Sequence, residues 1–116
     1  LAFFEAAFGM RRRFLTPEQD YGELDTGATT LAFASAELAA SNLATGGGFT
    51  PLDESTRPVG ISITVVTDDV VAAVTAAIAS GATPYVEPTE KPWGQTVAYV
   101  VDPNGLLIEI ATPVNA

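Results

Sequence analysis

The chain has 116 residues, enough to enclose one hydrophobic core but not two independent ones. Five basic against fourteen acidic side chains leave a net charge of −9, a surface that repels phosphate and argues against nucleic acid as a partner. No apolar run reaches the roughly eighteen residues of a bilayer-spanning helix, so a membrane role has no support, and with neither cysteine nor histidine in the chain disulfides, thiolate nucleophiles and every histidine-based mechanism are excluded.

Leu1, Phe4 and Phe8 repeat at i, i+3 and i+7, so the chain opens inside a helix, which Gly9 closes. There is no initiator Met and no charged leader, and residues preceding Leu1 are therefore expected. "MRRRFL" and "YGELD" read as strands, and Thr26-Gly27 turns the second into the strand "ATTLAFAS". From Glu37 to Gly60 the sequence is rich in Ser, Asn, Gly and Pro and holds neither period, which reads as a linker or lid carrying Phe49 and Pro51.

"ISITVV" alternates, with Ile61, Ile63 and Val65 on one face and Ser62, Thr64 and Val66 on the other. Thr67 is the expected N-cap of a helix whose Val71, Val74 and Ile78 form the apolar stripe up to Gly81, with Asp68 and Asp69 at the positive end of its dipole. The strand "TPYVEP", the loop "TEKPWG", the strand "QTVAYVV", the turn "DPNG" and the strand "LLIEIAT" complete the chain. The two halves differ only by an opening strand that would precede Leu1. The expectation is one α+β domain of two βαβββ modules forming a curved mixed-sheet cup. Residues 1–36 are the first module without its opening strand, 37–60 the connection and 61–116 the second module.

Glu109 is the one carboxylate in the last, otherwise apolar strand. Leu106, Ile108 and Ile110 should face the helix, leaving Leu107, Glu109 and Ala111 on the open face. A covered carboxylate needs a partner. Either Ser62 or water supplies it and the acid is a structural remnant, or the acid binds a ligand. Trp93 either packs its loop or lines a cleft. The Arg11–Arg13 run is either solvated or sends a guanidinium to Glu109 or Glu23. Asp68, Asp69 and Asp102 read as helix-entry and turn residues. "TGGGFT" lacks the lysine and the strand–helix setting of a phosphate loop, and no nucleophile elbow is present.

With "TVVTDDV", "KPWGQTVAYV" and "DPNGLLIEI" in this order on a duplicated module, the chain resembles the vicinal oxygen chelate superfamily. That superfamily includes glyoxalase I, extradiol dioxygenases, fosfomycin-resistance enzymes and the bleomycin resistance proteins. The resemblance implies four cup-facing positions that hold a metal in the metal-using members. Glu109 matches one, Ser62 a second and Leu31, four residues after Gly27 as Glu109 is four after Gly105, a third; the fourth falls upstream of Leu1.

One carboxylate, one hydroxyl and one hydrocarbon are too few for a divalent transition metal. The expectation is thus a non-enzymatic protein without cofactor or metal, which sequesters a cationic or planar drug-like molecule as the bleomycin resistance proteins do. Its site would comprise Glu109, Trp93, Leu31, Phe33, Ser62, Thr64 and Leu107. A cytoplasmic homodimer is expected, since a second copy would cover open sheet edges. The alternative is a metal-dependent lyase, dioxygenase or transferase using Glu109 as a ligand.

Overall fold

The computed structural model describes residues 1–53 and 57–114, and its chain divides into two units, Leu1–Glu5 with Gly9–Pro51 and Ala6–Phe8 with Leu52–Ala116. Helix α1 (Ala2–Phe8), divided between the two units after Glu5, ends at Gly9, whose φ of 66° lets its N–H return to the Glu5 carbonyl at 3.0 Å. Strands β1 (Arg11–Leu15), β2 (Tyr21–Asp25) and β3 (Leu31–Ala34) form an antiparallel sheet in the order β1-β2-β3. One face of this sheet carries Leu24, fully buried, and Phe33, whose ring lies 5.1 Å from that of the buried Phe4 of α1. Gly22 sits opposite Phe33, and a Cβ there would fall 2.7 Å from Leu1 Cδ2. Glycine at this position lets the start of α1 lie close to the strand.

The connection expected to lack structure contains helix α2 (Ala36–Leu43), followed by a 3₁₀ turn at Ala44–Gly46. Ser35 caps α2 by accepting the Leu38 N–H at 3.1 Å. No residue of α2 is buried. A helix that buries no stripe leaves no period in the sequence, which is why pattern reasoning passed over it. Residues 54–56 of that connection lie outside the described residues.

The second unit contains β4 (Ser62–Val66), α3 (Val70–Ala79), β5 (Thr83–Glu90), β6 (Thr96–Val101) and β7 (Leu107–Ala111). Its mixed sheet has the order β4-β7-β6-β5, with β4 parallel to β7 and the other pairs antiparallel. This is the expected βαβββ module. Register puts Ile63, Ile108 and Val100 side by side, and likewise Val65, Ile110 and Ala98. Val100, Ala98, Ile108 and Ile110 are sealed from solvent together with Val70 and Ala77 of α3.

Three details differ from the sequence reading. Asp69, rather than Thr67, caps α3 by accepting the Ala72 N–H at 3.0 Å, while the Thr67 hydroxyl accepts the Asp69 N–H. The stripe of α3 turned inward contains Val70 and Ala77, whereas Val71 is 62% and Ile78 43% exposed. In a helix this rich in Ala and Val almost any face is apolar, so periodicity could not choose between them. Strand β5 carries Pro84 and Pro88, as expected, and runs two residues further, taking Thr89 and Glu90 from what read as a loop. It tolerates both prolines because it is the sheet edge and its register slips between Pro84 and Val86 and again between Val86 and Thr89. Among the described residues no helix is long and apolar enough to cross a membrane.

Candidate functional site

The turn after β6 sets the register that builds the site. Asp102 is buried, and its Oδ1 accepts the N–H groups of Asn104 and Leu106, both at 2.9 Å. With this turn closed, Tyr99 lies directly opposite Glu109, and on the other side of β7 Thr64 pairs with the same residue. Glu109 therefore sits between two hydroxyls on one sheet face. Thr64 Oγ1 donates to its Oε1 at 2.7 Å and the Tyr99 hydroxyl donates to its Oε2 at 2.8 Å. The hydrogen bond to Glu109, with smaller contributions from burial and from the carboxylate's charge, raises the Tyr99 pKa above the usual tyrosine value.

Both partners of Glu109 are neutral, and among the described residues no Lys or Arg pairs with it. The arginine run is engaged within the first unit instead. Arg11 meets Asp25 at 3.4 Å, Arg12 meets Glu5 at 2.6 Å and Arg13 meets Glu23 at 3.8 Å. A carboxylate has about four lone-pair sites, so two hydroxyl donors leave Glu109 with accepting capacity and an unneutralised charge.

Beside this triad, within the second unit, an open cleft of about 290 Å³ is lined by Gly60, Ile61, Ser62, Tyr85, Val86, Tyr99 and Leu107. Ser62 and Leu107 thus line the cleft, and Thr64 holds the acid next to it. Ser62 is not the partner of Glu109; Thr64 and Tyr99 are. Trp93 is 63% exposed in the turn joining β5 to β6, where its indole N–H donates to Gln95 Oε1 at 2.9 Å, and it is not in the cleft wall.

Leu31 and Phe33 lie on the α1 face of the first sheet, Leu31 opposite the buried Leu24 and Phe33 against Phe4, rather than on its open face. The residues turned the other way on β3 are Ala32 and Ala34. The cause is a loop difference. Residues 25–30 lie between the paired Leu24 and Leu31, but residues 102–106 between Val101 and Leu107. One residue more inverts the alternation, so counting from the glycine transfers the wrong face.

Tyr99 and Tyr85 were missed by sequence reasoning. Tyr99 was accessible to it, because pairing outward from the "DPNG" turn places it across from Glu109. Tyr85 was not, because the slips in β5 break the count.

Among the described residues the donors present do not make up a transition-metal ligand set. Of the three residues matched to the superfamily's positions, Glu109 and the Ser62 hydroxyl stand on the open face of the second sheet, Leu31 is a hydrocarbon on the α1 face of the first, and both Glu109 oxygens already accept hydroxyls. Among the described residues no three His, Cys, Asp or Glu side chains come together.

The family model "Glyoxalase/Bleomycin resistance protein/Dioxygenase superfamily" matches residues 1–110. A crystal structure of a glyoxalase/bleomycin resistance protein/dioxygenase family enzyme from Burkholderia phytofirmans PsJN is similar at 24% identity and a TM-score of 0.74, covering 98% of this chain and 87% of that one. A glyoxalase-related enzyme from Fulvimarina pelagi is similar at 20% identity and a TM-score of 0.76, over 96% of this chain and 76% of that one. A third, a glyoxalase/bleomycin resistance protein/dioxygenase from Nocardioides, is 19% identical with a TM-score of 0.69, over 99% and 74%. These likenesses show the fold; no curated protein matches the sequence. The doubled module, the "DPNG" hairpin with its acid and the family match place the chain in the glyoxalase/bleomycin resistance protein/dioxygenase superfamily.

Proposed function

We propose that this chain is a metal-independent binding protein that sequesters a small planar cation in the cleft beside Glu109. The observation that carries the reading is the charge on Glu109, met among the described residues by the Thr64 and Tyr99 hydroxyls alone, with Tyr99 lining an open cleft. Tyr85 and Tyr99 give that cleft two aromatic side chains, and aromatic faces attract flat cations. The ring of Tyr99 would meet the ligand while its hydroxyl passes on the influence of the carboxylate. A homodimer remains the proposed assembly, since β4 and β5 are both sheet edges.

Titration with the planar monocation proflavine, and with bleomycin, tests this in EDTA-treated protein. The expected result is saturable binding and a raised melting temperature without added metal. Glu109→Gln keeps the shape and removes the charge, so it should weaken proflavine binding about tenfold or more. If no cation is bound, or neutral isosteres bind as well, the reading fails. Glu109 also occupies the last-strand acid position of the metal-using members, which favours a metal-dependent enzyme as a second reading. A stoichiometric transition metal retained through dialysis would support that one.

A further inference from the structure

The first sheet holds a second carboxylate of the same chemical type. Glu23, with a side chain only 18% exposed, accepts the Tyr21 hydroxyl at 2.8 Å on Oε2, as Glu109 accepts that of Tyr99. Phe14 is paired with Glu23 across β1 and β2, is 43% exposed, and places its ring 5.8 Å from that of Tyr21. An acid, a tyrosine hydroxyl bound to it and an accessible pair of rings therefore share one sheet face.

The two acids differ in what meets their other oxygen. Thr64 gives Glu109 Oε1 a neutral hydroxyl, whereas Arg13 brings a guanidinium to 3.8 Å from Glu23 Oε1. Arg13 stands where the register of β1 against β2 shifts between Arg12 and Phe14, and its side chain is 58% exposed. A long pair with an arginine this exposed contributes little to the stability of the fold.

We propose that Glu23, Tyr21 and Phe14 form a second binding site for planar cations, closed by the chain's own Arg13. Arg13 is the resident cation of the site: it satisfies the acid, and its positive charge repels an incoming one. Among the described residues there is thus one open acid–tyrosine site, at Glu109, and one self-occupied. The inference rests on the Glu109 reading for its ligand class but uses none of that site's residues.

Proflavine stoichiometry in the full chain tests it, with circular dichroism as a control for folding and Arg13→Gln to replace Arg13→Ala should the latter misfold. Arg13→Ala should raise the stoichiometry by one equivalent, with affinity at the new site about tenfold above any residual binding there in the parent. Adding Glu23→Gln should remove that equivalent, and Arg13→Lys should keep the site closed. An unchanged stoichiometry in Arg13→Ala, an added equivalent that survives Glu23→Gln, or a parent chain already binding at Glu23 would each overturn the inference. The two readings fail separately. One equivalent in both parent and Arg13→Ala leaves Glu109 intact as the site. None in the parent but one, dependent on Glu23, in Arg13→Ala upholds the closed site and removes the open one.

Discussion

At the scale of single residues, the chemistry turns on hydroxyls placed against carboxylates. Tyr99 donates to Glu109, and the protonated phenol is favoured in the folded chain, raising its pKa from the usual 10.0. A raised folded-state value means that this contribution to stability is complete below the unfolded tyrosine value and disappears as pH climbs through the folded one. Phenolate absorbance followed through an alkaline titration should therefore show Tyr99 ionising late, and Glu109→Gln should bring its midpoint back toward the ordinary value. An unmoved midpoint in Glu109→Gln would mean that the bond is not formed in solution. Tyr21 is shifted upward for the same reason by Glu23 and provides an internal comparison that Glu109→Gln should leave alone. Glu109 itself stood out in the sequence because an acid interrupts an apolar run. Its partner Thr64 shared its expected face, but their direct pairing required strand order to be known.

Among the elements, the β6–β7 hairpin matters most, since its register delivers Tyr99 to Glu109. Asp102, 4% exposed, spends its Oδ1 on two backbone N–H groups of the turn. Asp102→Ala strands both, and should lower stability by about 2–3 kcal/mol in urea denaturation, while Asp102→Asn, which keeps an acceptor oxygen, should lose much less. Ligand affinity should fall in Asp102→Ala as well if the turn sets the register. Hairpins, β4 and α3 were readable because turns and alternation are local signals. Helix α2 was not, because none of its residues is buried, and the last two residues of β5, Thr89 and Glu90, were not, because they pair with β6 only beyond Pro88 and a slip in register.

For the molecule as a whole, the net charge of −9 should add long-range attraction for a cation to the local pull of Glu109. Raising salt from about 0.01 M to about 1 M shortens screening from ~30 Å to ~3 Å, so proflavine affinity should drop while that of a neutral isostere holds. Equal behaviour of the two would remove charge from the explanation.

Composition and periodicity alone determined the duplicated module, the turn with its acid, the excess of negative charge and the poverty of metal-ligating side chains, because each is a property of residue type or of near neighbours. Which side of a strand faces the helix, which hydroxyls reach Glu109 and which acid keeps an arginine were decided by tertiary structure. A single residue in a loop inverts a strand's faces, and partners such as Thr64 and Glu109, 45 positions apart, meet only once the strands have been ordered in a sheet.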